Sequence, residues 1–184
     1  MEQPNRRRRP HRAPRGQREL ALAEWSAQHL ETSVNRDAAL DPVALRVFVY
    51  DETIARGRPP SCADIGVHFG ISAEDARRAL AGLKIGKTIL LDPRSGEIWM
   101  AGPFSATETP YRVVSGDRAW WANCAWDMFG IVMIVGEQAT IYTRCTDCSA
   151  PITLAADPFT RPNEDAVVHF LVPAQRWYDD IGFT

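Results

Sequence analysis

The sequence predicts an α+β protein in which an N-terminal winged-helix module, three helices plus a hairpin, precedes a mainly antiparallel sheet domain. Helix start signals and amphipathic runs occupy residues 41–84, and two short apolar runs at 88–92 and 97–100 flank a turn-like linker. Beyond residue 103 the chain alternates prolines, extended aromatic segments and strand-like apolar runs. This change of sequence pattern marks the expected boundary between the two parts.

The helices of the first part are predicted from the residues that begin them. Asp41 can cap one helix, Ser61 with Asp64 three residues later resembles a capping box, and Ser72 can cap a third helix. A further helix is expected over residues 17–35, where leucines and a tryptophan recur at helical spacing.

The second part is predicted to combine one buried helix with several strands. Residues 120–130 carry aromatic and apolar side chains on several helical faces, which favours a buried helix. Apolar runs bounded by turn residues predict strands, and a helical segment with Trp177 follows the last of them; the runs are 132–135, 139–143, 152–154 and 167–172.

Composition bounds the class of protein. The 184 residues, 45% of them hydrophobic, suffice for one compact domain or two small ones, and the net charge of −2 excludes a polyanion binder as a whole. Arginines and prolines crowd the start, so residues 1–16 are expected to form a disordered, solvated basic tail. The chain has no apolar run near the ~18 residues of a membrane span and no signal-peptide core, so we expect a cytoplasmic protein whose cysteines are thiols or metal ligands.

A winged helix often binds DNA, and residues 72–84 would be its recognition helix. Arg77, Arg78 and Lys84 could contact phosphates, but Glu74 and Asp75 lie at the start, where such contacts would fall. A structural use of the module is therefore favoured, and nucleic acid is not the expected partner.

Cys124 and Asp127 carry the clearest chemical signal. If both lie on one helix, a spacing of three residues places their side chains on one face, close enough to exchange a proton. The carboxylate disfavours the thiolate unless a soft metal ion takes the sulfur and the proton moves to the oxygen. On spacing alone, a small buried cysteine and an aspartate that pairs elsewhere are the favoured explanation of the pattern.

The motifs around these residues resemble the alkylmercury lyase family over roughly residues 40–184. The most specific piece is the Cys-x-x-Asp segment that follows a Pro-Phe-Ser motif. The segments that carry the resemblance are residues 57–59 and the winged helix after them, 103–106, 109–113, 120–127 and 145–151. The resemblance implies a winged-helix module over residues 17–102 and an alkylmercury-lyase-like catalytic domain over 103–184.

The resemblance also implies a reaction, the protonolysis of a carbon–mercury bond. Cys124 matches the family cysteine that takes mercury, and Asp127 matches the aspartate that carries the proton. The partners would be a small organomercurial and a thiol that accepts the product; Hg(II) would be substrate and product ion, with no cofactor required.

The sequence departs from the family in one respect. The family uses a second cysteine, and residues 177–184 resemble the approach to it, so the resemblance implies that the C-terminal end is missing. A shortened chain, a protein without full lyase activity, or a replacement thiol from Cys145 or Cys148 would each explain this.

Cys145 and Cys148 form a Cys-x-x-Cys pair with several readings. Inert structural cysteines, a zinc site, a redox pair and a loop that helps capture heavy metals all remain open, although a closed zinc site needs four ligands. His68 and His169 lie in apolar runs and are expected in the core rather than as ligands. Besides a lyase, the alternatives are a protein that binds soft metals or thiol-reactive ligands without cleavage, and a metal-responsive winged-helix regulator.

Overall fold

Four α-helices, seven strands and a 3₁₀ turn make up the part of the chain that the computed structural model describes, residues 40–83, 89–160 and 167–182. The basic tail and the helix predicted over residues 17–35 lie outside the described residues. The elements in chain order are α1 Pro42–Arg56, α2 Cys62–Phe69, α3 Ala73–Gly82, β1 Ile89–Leu91, β2 Ile98–Ala101, β3 Phe104–Ser105, β4 Arg112–Ser115, β5 Arg118–Ala122, α4 Ala125–Val135, β6 Ala139–Arg144, β7 Pro151–Ala156 and the 3₁₀ helix Ala174–Arg176.

The seven strands form one sheet in the order β1-β2-β3-β5-β4-β6-β7, and every pairing is antiparallel. The predicted mixture of helices and antiparallel sheet is therefore confirmed. The sheet crosses the predicted boundary at residue 103, because β2 pairs with β3 through Ala101 and Phe104. Three helices and an antiparallel pair precede that point, while the winged-helix assignment and the division into domains stay predictions.

The predicted helix caps are present. Asp41 accepts hydrogen bonds from the N–H groups of Val43 and Ala44 at 3.1 and 3.3 Å. Ser61 and Asp64 form a reciprocal capping box at the start of α2, and the Ser72 hydroxyl accepts from the third residue of α3. These contacts satisfy backbone donors that a helix start otherwise leaves without partners.

Three predictions in the second part are wrong. The helix predicted over residues 120–130 begins only at Ala125, because residues 120–122 complete β5 and pair with β4. Residues 132–135 complete α4, where packing on the sheet overrides the strand preference of β-branched side chains. Residues 167–172 are irregular and contribute side chains to a cavity instead of a strand to the sheet.

Trp120 connects the first part of the chain to the second. Its ring is buried in the core beneath α4, and its indole N–H donates to the carbonyl oxygens of Thr53 and Ile54 at 3.0 and 3.2 Å. This places α1 against β5, and therefore fixes the strand that leads into the Cys124 segment.

Gly57 ends α1 with a left-handed φ of 78°, and a Cβ there would lie 2.4 Å from the carbonyl oxygen of Ala119. Gly70 ends α2 with a similar φ of 67°, but a Cβ there would meet nothing within 4 Å. Gly57→Ala should cost more than the ~1 kcal/mol of the backbone conformation alone, by about 1–3 kcal/mol of overpacking. Urea unfolding checks this against Gly70→Ala, and equal losses for the two variants would contradict the close approach of α1 and β5.

The cations of α3 are occupied by carboxylates of the same helix. Arg77 pairs with Glu74, and Arg78 pairs with Asp75. This matches the expectation that acidic residues compete with any phosphate contact at this helix start.

Among the described residues, no helix combines the length and the hydropathy needed to cross a bilayer.

Candidate functional site

Cys124 lies at the junction between the sheet and helix α4. β5 ends at Ala122, which pairs with Phe104 of β3, and the Asn123 N–H then donates to the carbonyl oxygen of Pro103 at 3.2 Å. Cys124 follows in an extended conformation and occupies the N-cap position of α4. A rigid strand and a rigid helix therefore hold the thiol from both sides.

Asp127 approaches Cys124 by a different route from the one the sequence predicted. Cys124 is not on the face of the helix; it precedes the helix, and Asp127 is the third helical residue. The N-cap residue and the third helical residue are the two positions that a capping box links, each side chain reaching the backbone N–H of the other residue. The prediction that the thiol and carboxyl lie together is consistent with this geometry, whereas the prediction of a shared helix face is wrong.

The surroundings keep Cys124 protonated. Burial and, next, the negative charge of Asp127 raise the pKa of the thiol. The backbone N–H groups of Asp127 and Trp126 face the sulfur and act in the opposite direction, but the net shift is upward. At neutral pH the site therefore stores a proton on sulfur, while the helix N-terminus offers N–H groups to the thiolate once that proton leaves.

Asp127 is suited to receive this proton. Burial raises the pKa of its carboxyl, and hydrogen bonds from the Asn123 side chain and the Cys124 thiol offset only part of that rise. The other end of the Asn123 amide, Oδ1, is buried without a protein partner among the described residues. Asn123 therefore positions the carboxyl beside the thiol.

A cavity of about 230 Å³ opens onto both groups. Cys124, Asp127, Asn123 and Trp126 form one wall. The rest of the lining is mainly apolar and comes from two distant parts of the chain: Leu90, Met100 and Gly102 from the strand pair β1–β2 and its end, and Phe170, Trp177, Tyr178 and Ile181 from the C-terminal segment.

The C-terminal segment is tied to the sheet and to itself. The rings of Phe170 and Trp177 lie 5.1 Å apart, and the Trp177 indole donates to the carbonyl oxygen of Val172 at 2.8 Å. Gly182 lies so close to the Trp99 ring that an added Cβ would be 2.9 Å from it. Sequence reasoning missed these walls, because apolar residues in short strands and in an irregular segment give no pattern that points to a shared cavity.

The other cysteines and histidines lie elsewhere. Cys62 is fully buried at the start of α2, and burial with the neighbouring Glu97 raises its pKa to about 11. Cys145 and Cys148 lie in the turn between β6 and β7 and do not line the cavity. The core placement of His68 and His169 is wrong: both are exposed, and His68 stacks on Phe48 at 3.9 Å.

Comparison with known proteins bears directly on this region of the chain. Residues 104–183 match the alkylmercury lyase family model. The resemblance seen in the sequence motifs is therefore confirmed, over a stretch that contains Cys124, Asp127 and the C-terminal wall of the cavity. A comparison with curated proteins gives no match.

A solved structure shares the fold. The crystal structure of the mercury-bound form of MerB2 superimposes with a TM-score of 0.51 at 17% sequence identity. The alignment covers 67% of this chain and 59% of the other, so the chain spans less than two thirds of that protein's length. This likeness concerns the fold alone, the mixed helix and antiparallel-sheet architecture described above.

The raised pKa of Asp127 predicts a stability effect. A carboxyl whose folded pKa lies above its unfolded pKa binds more protons in the native state, so the free energy of unfolding falls as pH rises through that interval. Asp127→Asn should therefore raise the melting temperature at pH 8 and lose this advantage near pH 4. Thermal unfolding at both pH values tests this, and a variant that is less stable at pH 8 would contradict the assignment.

Proposed function

We propose that the protein is an organomercurial lyase that cleaves carbon–mercury bonds by protonolysis at Cys124 and Asp127. One observation carries the proposal. A protonated thiol and a carboxyl that is ready to take its proton lie side by side in the wall of a mainly apolar cavity. The match of residues 104–183 to the alkylmercury lyase family supports the same reaction.

The first step exchanges a proton for mercury on Cys124. The substrate R–Hg–X enters with its organic group in the cavity, the thiol proton passes to the Asp127 carboxylate, and the sulfur bonds to mercury as X⁻ leaves. Thiolate is the side-chain ligand that soft cations prefer. The N–H groups of Trp126 and Asp127 and the loss of negative charge on Asp127 both favour this transfer.

The second step returns the proton to carbon. Donation from the thiolate raises electron density on the carbon bound to mercury and weakens that bond. Asp127, now a buried carboxylic acid, protonates this carbon as a general acid. R–H leaves, and Hg(II) remains on the Cys124 sulfur with the Asp127 carboxylate opposite as counter-ion.

Release requires external thiols. Two molecules R′SH take the metal as Hg(SR′)₂; one of their protons restores the Cys124 thiol and the other goes to solvent. The overall change is R–HgX + 2 R′SH → RH + Hg(SR′)₂ + HX. Such a reaction belongs in a reducing compartment where free thiols are abundant, which favours the cytoplasm.

The cavity suits compact apolar organic groups. Phe170, Trp177 and Met100 present aromatic and thioether surface close to the reacting pair. A phenyl group fits this lining in chemistry and scale. Burial of the organic group also removes water from the neighbourhood of Asp127, which keeps its proton available for carbon.

Benzene release from phenylmercury in excess thiol tests the proposal. Gas chromatography of the headspace should detect one benzene per phenylmercury consumed, with repeated turnover by the full chain. Tight mercury binding without benzene would instead establish the non-catalytic alternative, a protein of the same fold that only binds soft metals. The regulator alternative has less support, because Arg77 and Arg78 are paired with carboxylates on their own helix.

A further inference from the structure

The turn between β6 and β7 is closed by backbone hydrogen bonds and carries two thiols, Cys145 and Cys148. The Cys145 N–H donates to the carbonyl oxygen of Ala150, and the Ser149 N–H donates to the carbonyl oxygen of Cys145, both at 2.9 Å. The Arg144 guanidinium then bonds the Ser149 carbonyl oxygen at 3.2 Å. These bonds fix the loop independently of anything the sulfur atoms do.

Ser149 gives the turn its shape. Its φ of 59° is left-handed, and among the described residues it is the one non-glycine position with this conformation. The left-handed conformation lets the chain reverse here, so that the Ser149 N–H reaches the carbonyl oxygen of Cys145. A non-glycine residue adopts this conformation at a cost in free energy, and such strained positions are concentrated at functional sites. We therefore expect a function in this turn.

The Cys145 sulfur lies inside this turn. The backbone N–H groups of Asp147 and Cys148 are directed at the Cys145 sulfur, and the Cys148 thiol is within hydrogen-bonding reach of the same atom. N–H groups that point at a sulfur stabilise it as thiolate, the form that binds metals. Two sulfur atoms are thus placed side by side at an accessible turn, since Cys145 is half-buried and Cys148 is exposed.

The number of ligands that the turn supplies, two thiols, restricts the kind of metal ion it can bind. Among residues 40–83, 89–160 and 167–182, no group of three or more His, Cys, Asp or Glu side chains could hold a metal ion together. Structural zinc takes four protein ligands, so this turn alone does not build such a site. A soft cation that is satisfied by two thiolates needs no more ligands than the turn supplies.

The turn lies at the same end of the sheet as Cys124. Trp121 of β5 pairs with Arg112 of β4, which pairs with Tyr142 of β6, so β5 and β6 run parallel to each other. Cys124 follows Trp121 by three residues, and Cys145 follows Tyr142 by three. Both cysteines therefore follow strand ends at the same end of the sheet. Because β4 lies between β5 and β6, these strand ends are about 10 Å apart, at ~4.8 Å per interstrand spacing.

We propose that Cys145 and Cys148 form a second mercury site that accepts Hg(II) once it has left Cys124. The choice of Hg(II) rests on the proposed lyase function, whereas the two-thiolate geometry does not. In the transfer, Hg(SR′)₂ and the two protein thiols give the Cys145–Hg–Cys148 bis-thiolate and two R′SH. No electron is transferred, and the two thiol protons end on the departing R′SH.

Equilibrium dialysis of Cys124→Ala protein tests this, with mercury(II) chloride in a small excess of free cysteine as the probe. The variant should bind one mercury per chain, and X-ray absorption should detect two sulfur neighbours. Adding Cys145→Ser and Cys148→Ser should weaken binding by at least about a hundredfold. Adding Cys62→Ser instead should change nothing, because that buried thiol takes no part. Circular dichroism checks that each variant is folded.

Three results would overturn the second site. Equal mercury binding with and without the two turn cysteines would remove it, and undiminished binding after Cys145→Ser alone would reduce it to one thiol. Competition by equimolar zinc would mean a different metal preference. Benzene release is scored separately: if wild-type protein releases none while the turn binds mercury, the lyase function fails and the second site stands.

Discussion

Replacing Cys124 by serine should abolish hydrocarbon release from organomercurials, with a loss of about a thousandfold or more in turnover. A hydroxyl keeps the size and the capping position of the side chain, but it offers mercury a hard oxygen in place of sulfur. The mercury–carbon bond is then never activated, although Asp127 and the cavity remain. Benzene from phenylmercury, measured over a single turnover, gives the loss directly.

A matched control separates chemistry from general damage. Cys62→Ala removes a different sulfur, one that is fully buried at the start of α2 and outside the cavity. Its single-turnover rate should equal that of the wild type once folding has been verified. A Cys124→Ser protein that released benzene at a tenth of the wild-type rate or faster would contradict the role given to this thiol.

Asp127→Asn should slow benzene release by about a hundred- to ten-thousandfold, the usual range for loss of a general acid. The amide has the shape of the carboxyl but cannot carry the proton from sulfur to carbon. The same change removes the negative charge that raises the pKa of Cys124. The variant should therefore be slower in catalysis and faster in alkylation of Cys124 by iodoacetamide at pH 7.

These opposite effects make the test specific, because a merely disordered site would not become more reactive in one assay and less in the other. Asp117→Asn, an exposed change in the turn between β4 and β5, serves as the control and should alter neither rate. Slower alkylation of Cys124 in Asp127→Asn would show that the carboxyl does not act on the thiol as described.

The parts of the fold that local signals control could be predicted from the sequence. Asp41, Ser61 and Ser72 begin helices because each side chain accepts hydrogen bonds from backbone N–H groups within three residues. Such local contacts can be predicted from the sequence alone. Residues 120–135 were divided incorrectly into helix and strand. There, tertiary context decides: the aromatic run pairs with β4, while the following valines and isoleucines pack on the sheet as helix α4.

The candidate site divides in the same way. Cys124 and Asp127 could be named from the sequence because they lie close together in it and their chemistry is unusual. Leu90, Phe170 and Trp177 could not, since only the packing of distant segments brings them to one cavity. The positive φ of Ser149 was equally hidden, because serine carries no signal for the left-handed conformation as glycine does.

The most direct test of the central claim is to trap the mercury on Cys124 before carbon is protonated. Asp127→Asn protein mixed with one equivalent of phenylmercury should accumulate a phenylmercury adduct, seen by native mass spectrometry and mapped to Cys124. Wild-type protein in D₂O should lose the phenyl group and release benzene carrying one deuterium. An adduct on another cysteine, or benzene release by Asp127→Asn at the wild-type rate, would contradict protonolysis by this pair.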